Sequence, residues 1–432
     1  MKYFFALLCY RLLMLLLTPV LLLALIIRST RQTAYRHRLI ERLGILPKGL
    51  AKGGLIIHAS SVGEVLALKA LVQKLLLTHP ETPITFTTFT PTGSEQVKKL
   101  FGDRVQHVYL PIDNPLSSYV FLKTLAPKSL VVMETELWPN LIQQARHQGI
   151  HLQLINGRLS NNSMKSYRKL TWLITPCLQN FDDILCQSID NQENFLALGA
   201  PTNITQVSGN LKYDIVLSED VIEKQQQLDQ LITTKRPVWL VASTHPGDEK
   251  IVLGALSEIL KTQPDLLLIL VPRHPERFEE IATLCQAQFN TVRRSTAASV
   301  LADHQVWLLD SLGELMAAFK LADVVTMGGS FSQVGGHNPL EPAFYHKPII
   351  VGPNMSNFKQ VMTNMLNGGA IIQLTEGIAP VNYQTQLSEQ VCYLLANPER
   401  SQALGDNARK VVNQNQGALV TTHQKISQHL VN

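Results

Sequence analysis

Apolar residues crowd the first thirty positions and then settle into short, regularly spaced runs. Residues 4–27, FFALLCYRLLMLLLTPVLLLALII, are apolar except for Arg11 and a Thr-Pro step. Such a surface must meet lipid or a partner. From Leu12 to Ile27 run 16 uncharged residues, slightly under the roughly 17–25 that cross a bilayer. A spanning helix and a shallow anchor both fit, with spanning the preferred expectation. No clear small-residue cleavage site follows, and the run passes directly into Arg28, Arg31, Arg36, Arg38 and Arg42, a block that resists translocation. These arginines are expected on the cytoplasmic side against anionic headgroups, giving an N-out, C-in anchor over residues 1–30.

Beyond the anchor, short β-branched runs alternate with amphipathic stretches. LIIHAS at 55 leads into a helical pattern from Glu64 to Leu77, then come ITFTTFT at 84, HVYLPID at 107, SLVVMETE at 129, HLQLING at 151 and DDILCQS at 182. This is βαβ rhythm, and it predicts a parallel sheet with helices on both faces. The rhythm restarts with VWLVAST at 238, LLLILVPRH at 266, VWLLDS at 306, DVVTMGG at 323 and KPIIVGP at 347. Residues 217–236 between them, rich in Gln, Lys and Glu, read as a surface helix and linker. The expected fold is α/β, with one Rossmann-like domain over 31–215 and a second over 216–432. Their strand ends are expected to line one cleft, where ligands bind in such sheets.

A length of 432 residues exceeds what one core usually supports, which agrees with that division. With 45% hydrophobic and 16% charged residues, large-scale disorder is excluded. A net charge of +5, without a basic block beyond residue 50, argues against nucleic acid as a partner. Cysteines at 9, 177, 186, 285 and 392 form no CxxC pair, so neither a disulfide framework nor a zinc site is expected.

The unusual residues fall at predicted strand ends. In HASSVGEV, 58–65, Glu64 opens a helix after a Ser-Gly turn, and it either caps that helix or stands as a carboxylate in the cleft. VVMETELWPN, 131–140, carries Glu134 and Glu136, which strand alternation sends to one face. Acids there must be paired, bonded or in use, unless they sit on a solvated rim. In INGRLSNNSMKSYRKL, Arg158, Lys165, Arg168 and Lys169 form either a solvated helix face or a seat for an anionic lipid headgroup. Lys212 in VSGNLKYD is either an ordinary surface lysine or a cation for a departing phosphate or a sugar carboxylate.

In the second half, Arg273 and His274 sit between Pro272 and Pro275, whose fixed backbone suits a preset phosphate contact. DVVTMGGSFSQVGGHNPLEP runs from a strand into Gly328, Gly329, Gly335 and Gly336, then Asn338 and Glu341. Glycines permit close backbone approach to a ligand, helix-start amides suit phosphate, and Glu341 could take two ribose hydroxyls. No Walker loop, HExxH or GxSxG occurs, and GxGxxG is missing from the first strand turn, which weakens hydrolase, protease and dehydrogenase readings. No DxD pair is present to hold a metal under a nucleotide diphosphate, so a metal-free transfer without cofactor is expected.

Together the anchor, HASSVGE, ETELWPN, INGRLS, GNLKYD, PRHPER, LGEL and GGHNPLEP resemble the 3-deoxy-D-manno-octulosonic acid (Kdo) transferase family over nearly the whole chain. ETELWPN and GGHNPLEP are the most specific of these. The resemblance implies an inverting GT-B glycosyltransferase on the cytoplasmic side of the inner membrane. It would move Kdo from CMP-Kdo to a lipid A precursor, lipid IVA, and release CMP. The resemblance also implies Glu64 as general base and Glu134 and Lys212 as transition-state stabilisers. Arg273, His274, Gly313, Glu314, Leu315, Asn338, Pro339, Leu340 and Glu341 match its CMP-binding segments. The first domain would then take the acceptor, with Arg158, Lys165 and Arg168 available to its phosphates. Two other readings stand beside this one. Nucleotide-sugar 2-epimerases share the architecture but act on soluble substrates, and a non-catalytic membrane scaffold leaves the polar strand ends without a purpose.

Overall fold

The computed structural model describes residues 2–30, 32–375 and 380–430, so Met1, Arg31, residues 376–379 and residues 431–432 lie outside the described residues. The chain divides into two units, residues 1–214 with 415–432, and residues 215–414.

The strands of the first unit are β1 (Leu55–His58), β2 (Ile84–Thr88), β3 (Gln106–Tyr109), β4 (Ser129–Met133), β5 (His151–Gly157), β6 (Asp183–Cys186) and β7 (Thr205–Val207). They form one sheet in the order β3-β2-β1-β4-β5-β6-β7, every pairing parallel. Such a sheet is covered on both faces, which is why its strands read as near-continuous apolar runs. Leu55, Ile57, Phe86 and Val131 pack into one buried cluster, while Ile56, Leu130, Val132 and Leu154 pack into another. Each such side chain contributes about 1.5–3 kcal/mol of burial. The helical pattern expected from Glu64 to Leu77 is realised as two helices, Val62–Ala67 and Lys69–Thr78, joined at Leu68.

The second unit repeats the design. Its strands are β8 (Val238–Thr244), β9 (Leu267–Pro272), β10 (Thr291–Arg293), β11 (Val306–Leu308), β12 (Val324–Met327), β13 (Ile349–Val351) and β14 (Ile372–Gln373). Their order is β10-β11-β9-β8-β12-β13-β14, again all parallel. Chain direction across each sheet reverses once, between β1 and β4 in the first unit and between β8 and β12 in the second. Crevices open at such switch points, just beyond the carboxyl ends of the strands.

Two expectations about domain limits need correction. Residues 415–430 belong to the first unit, because Leu419, Ile426 and Leu430 enter its core and the Gly417 and Leu419 amides donate to Asp214 at 2.8 Å each. The polar stretch near 217–236 is a helix of the second unit, Glu219–Leu231, rather than a linker. Leu228 is buried there, and Gln225 Nε2 donates to the Tyr345 hydroxyl at 2.5 Å.

The N-terminal helix, Lys2–Ser29, runs through Pro19 without a break. Its segment Phe5–Ser29 contains an 18-residue stretch with a mean hydropathy of 2.4, of which 6% is buried against protein. At 1.5 Å per residue that segment is about 37 Å long, enough to cross a bilayer. It is nevertheless tied to the first unit. Tyr10 donates to Asp113 at 2.9 Å, Arg11 Nε to Asn140 Oδ1 at 3.3 Å, and Asn114 Nδ2 to the Thr18 hydroxyl at 3.1 Å. The arginine block also departs from expectation. Arg42 is buried, donating to the carbonyls of Leu110 and Phe89 at 3.2 and 2.6 Å, and Arg38 pairs with Glu41 at 2.6 Å. These two hold the 3-10 turn Leu39–Leu43 against β3, and the buried Arg42 is withdrawn from any headgroup. Arg28 lies over the Tyr35 ring and Arg36 is exposed.

Candidate functional site

At the first switch point, β1 ends on His58 and the chain turns into the helix Val62–Ala67. Ser61 accepts from the Glu64 amide at 3.4 Å, and the Glu64 carboxylate accepts from the Ser61 hydroxyl at 2.7 Å and the Ser60 amide at 2.9 Å. This is a capping box, so Glu64 is a helix cap and a strand-end carboxylate at once. Burial raises its pKa, the Ser61 and Ser60 bonds oppose the rise, and the negative charge of Glu134 and Glu136 adds to it. A carboxylate held above its ordinary range is a better proton acceptor, and its two donors keep the ionised form attainable.

Glu134 and Glu136 arrive by a different route from the one expected. β4 stops at Met133, and Glu134 adopts a left-handed backbone with φ +58°, so strand alternation does not apply to the pair. That conformation costs a non-glycine residue roughly 1–3 kcal/mol and is concentrated at functional sites. Glu134 Oε1 lies 4.0 Å from Lys212 Nζ. Glu136 accepts from Trp138 Nε1 at 2.8 Å and lies 3.5 Å from His58 Nε2. Burial pushes the Glu136 carboxyl up, but bonds from His58, Ser60 and Trp138 bring it below the ordinary value. The carboxylates thus differ, Glu64 being held above its ordinary pKa and Glu136 below it, while Glu134 pairs with the lysine.

Lys212 is placed by buried amides. Asn156, also left-handed at φ +52°, accepts from the Leu211 amide at 3.0 Å. Gln187 donates to the Asn156 carbonyl at 3.0 Å and accepts from Asn210 at 3.1 Å, while Asn210 accepts from the Lys212 amide at 3.0 Å. Asn156 lies where the β5–β6 register shifts, a bulge that aims the following residues away from the sheet. Of the basic group, Arg158 follows β5, and its carbonyl accepts the Thr135 hydroxyl. Its side chain is exposed, as are Lys165, Arg168 and Lys169 at the helix Asn161–Arg168. None of the four has an ion-pair partner among the described residues.

In the second unit, Arg273 and His274 follow β9, with Arg273 exposed and His274 3.6 Å from Glu276. The turn after β11 contains Gly313 at φ +80°, Glu314 and Leu315. Glu314 is buried and already engaged by Arg294 at 2.9 Å and by the Ser311 hydroxyl, so this turn offers a ligand its backbone rather than that carboxylate. After β12, Asn338 accepts from the Leu340 amide and donates to Glu341 at 3.2 Å each, at the start of the helix Leu340–Phe344. Pro339 precedes that helix, and Leu340 is buried in it. The glycines there serve the chain itself. A Cβ on Gly328 would meet the Ser243 carbonyl at 2.6 Å, and one on Gly336 would meet Met355 Sδ at 2.1 Å.

Sequence reasoning passed over His58, Asn156, Gln187, Asn210, His245, Asp248 and His337. A polar residue closing an apolar strand run, as His58 and Asn156 do, was the available signal. Among the described residues one group offers metal-type ligands, His151, Asp183 and His429, at the amino ends of β5 and β6, the opposite sheet end from Glu64. Lys425 and Gln153 already occupy the Asp183 oxygens at 2.8 and 3.1 Å, and the two histidine rings stack at 3.5 Å. It is a clamp for the C-terminal segment.

Two tandem all-parallel α/β units with polar groups gathered at each switch point have the GT-B architecture. Residues 37–215 match the family model described as 3-Deoxy-D-manno-octulosonic-acid transferase (kdotransferase). The 3-deoxy-D-manno-octulosonic acid transferase of Haemophilus influenzae is 38% identical over 414 residues, 95% of either chain. A glycosyltransferase of Rickettsia africae is 12% identical with a TM-score of 0.52, covering 88% of this chain and 99% of its own. The UDP-GlcNAc 2-epimerase of Neisseria meningitidis is 14% identical with a TM-score of 0.54, over the same shares, a likeness of fold alone. The chain belongs to the 3-deoxy-D-manno-octulosonic acid transferase family.

Proposed function

We propose that this chain transfers Kdo from CMP-Kdo to a lipid A precursor, lipid IVA, with inversion and without a metal. The observation that carries the reading is Glu64, a buried carboxylate with a raised pKa at the first switch point, in the electrostatic reach of Glu134, which itself lies 4.0 Å from Lys212. CMP is a good leaving group, so the reaction needs a base for the acceptor hydroxyl and charge to steady what departs. Glu64 accepts the hydroxyl proton as that oxygen attacks the anomeric carbon from the face opposite CMP. One displacement inverts the centre. Lys212 supplies positive charge, and Glu134 keeps its ammonium in position. Arg273, the Gly313 turn and Asn338–Glu341 hold the nucleotide. Arg158, Lys165 and Arg168, without ion-pair partners among the described residues, suit the acceptor phosphates.

The apolar helix Lys2–Ser29 holds the enzyme at the inner membrane, with both units in the cytoplasm. The bonds from Tyr10, Arg11 and Thr18 support a helix that lies along the first unit at the membrane surface rather than one that leaves it. Incubating the full chain with CMP-Kdo and lipid IVA tests the reading. Released CMP together with a lipid heavier by one or more Kdo residues is expected. Free Kdo without a heavier lipid, or an epimerised nucleotide sugar, contradicts it.

A further inference from the structure

The loops after β8, β9 and β12 gather three histidines in the second unit. His245 Nε2 lies 2.8 Å from His337 Nε2, the two rings stack with centroids 5.1 Å apart, and His274 meets His245 edge-on at 5.0 Å. Two ring nitrogens at that separation share a proton, one donating and the other accepting, so the contact survives only while at least one ring is neutral.

The surroundings favour that neutral state. Burial lowers His337 to about 4, with His245, Arg273 and His274 pushing the same way. Burial also lowers His245, with His274, Arg273 and Arg277 lowering it further and Glu249 opposing. The charged groups facing the pair are Asp248 and Glu249 from the helix Asp248–Ile259, and Arg273, His274 and Arg277 from the loop after β9. The segment 354–357, which packs on the glycine turn, is Asn-Met-Ser-Asn and brings no charge. Glu249 is taken up by Arg277 at 2.6 Å, whereas Arg273 has no ion pair among the described residues. The pair therefore sits where cations outweigh available anions.

Its position is fixed rather than incidental. Asp248 Oδ2 accepts from the His245 amide at 2.9 Å and from the Gly329 amide at 2.6 Å, so one carboxylate ties the end of β8 to the turn after β12. A Cβ on Gly329 would come within 3.1 Å of the His337 ring. Both histidines thus stand at the second switch point, where this kind of sheet receives phosphate.

We propose that His245 and His337 form an anion receptor in the donor site, which opens and takes up a proton when a nucleotide phosphate binds, so that both Nε2–H groups donate to it. This rests on the reading of the second unit as the CMP-sugar site. The proton comes from solvent, and the bound phosphate replaces the partner each ring loses. The free pair is neutral at neutral pH and the bound pair is cationic, so affinity falls as pH rises.

The test is titration calorimetry of the full chain in detergent, with cytidine 5′-(methyl phosphate) and with cytidine, in two buffers of different ionisation enthalpy. The phosphodiester has no ionisation near neutrality, so a buffer-dependent heat reports protonation of the protein. Uptake of up to one proton is expected with the diester and none with cytidine. His337→Gln should abolish the uptake and weaken the diester about tenfold or more while leaving cytidine unchanged. Equal diester heats in the two buffers overturn the inference however the variants behave, and so does a His337→Gln protein that keeps the uptake. Diester binding without uptake leaves the donor site standing and removes only the receptor, whereas failure of both compounds to bind removes the donor site as well.

Discussion

Lys212 Nζ lies 4.0 Å from Glu134 Oε1, and the two residues reach each other from the ends of different strands. With only 26% and 20% of their side chains exposed and 4.0 Å between them, desolvation offsets most of the Coulomb gain, so the pair is a weak source of stability. The left-handed backbone of Glu134 costs as much or more. Stability alone gives no reason to keep this arrangement, which is the energetic argument for placing it in the chemistry.

Removing the ammonium should separate the two roles. Lys212→Ala is expected to lower kcat by roughly 10²–10³-fold, the effect of losing one preorganised charge donor. Its Tm should stay close to that of the parent chain. Retained kcat with a lower Tm would assign the pair to folding instead.

Glu64→Gln keeps the shape of the side chain, with its one carbonyl oxygen accepting from the Ser60 amide and its Nε2 donating to the Ser61 hydroxyl, which reverses its role in that bond. Turnover should fall by about 10²-fold or more, the usual contribution of a positioned base. CMP affinity should be unchanged, because the candidate nucleotide residues all belong to the other unit. Near-normal turnover, or a loss traced to weaker CMP binding, removes Glu64 from the role.

The same residue makes a pH prediction. Burial and the charges of Glu134 and Glu136 hold Glu64 above its ordinary pKa of 4.5. Its native pKa therefore exceeds its unfolded one. The stability this group contributes is complete below the unfolded value and is lost as pH rises through the native value. At neutral pH the ionised carboxylate is a cost, so Glu64→Gln should melt no lower than the parent there, and the difference should vanish on acidification. In the rate profile of the parent, the acid limb should inflect above 4.5, and Glu134→Gln should keep that limb. An acid limb that survives in Glu64→Gln with its midpoint unmoved would belong to another group.

Deleting residues 1–30 should release the protein from membranes while CMP binding persists. Because Tyr10 and Thr18 bond to Asp113 and Asn114, the deletion should also lower the Tm of the first unit. A sedimentation assay with a CMP titration checks both. Loss of CMP affinity would show that the helix supports the second unit as well.

Metal independence is tested with chelator. Turnover in EDTA should equal turnover without it. Loss in EDTA with recovery on added magnesium defeats the expectation.

Much of the fold was legible because parallel strands buried on both faces leave long apolar runs, as in VWLVAST and LLLILVP. The three strands the pattern does not announce, β7, β10 and β14, are two or three residues long and lie at sheet edges, where little apolar surface is needed. Glu64 was readable from its cap spacing, since Ser61 stands three residues before it. The paired acids misled because alternation assumes a strand, and the backbone at Glu134 has already left it. His245 and His337 carried no local signal. They are 92 residues apart, and only the β8–β12 neighbourhood makes them partners. The attachment of residues 415–430 was invisible for a related reason, because an amphipathic helix shows that it will be buried without showing against what.

That last attachment sets an order of events during synthesis. Ala418, Leu419, Ile426 and Leu430 complete a core whose other members, from Leu55 to Leu211, leave the ribosome more than two hundred residues earlier. The unit spanning 215–414 can close before the one that precedes it in the chain. A nascent chain stalled before residue 415 would expose an unfinished apolar face on its first unit, a window in which chaperone protection matters.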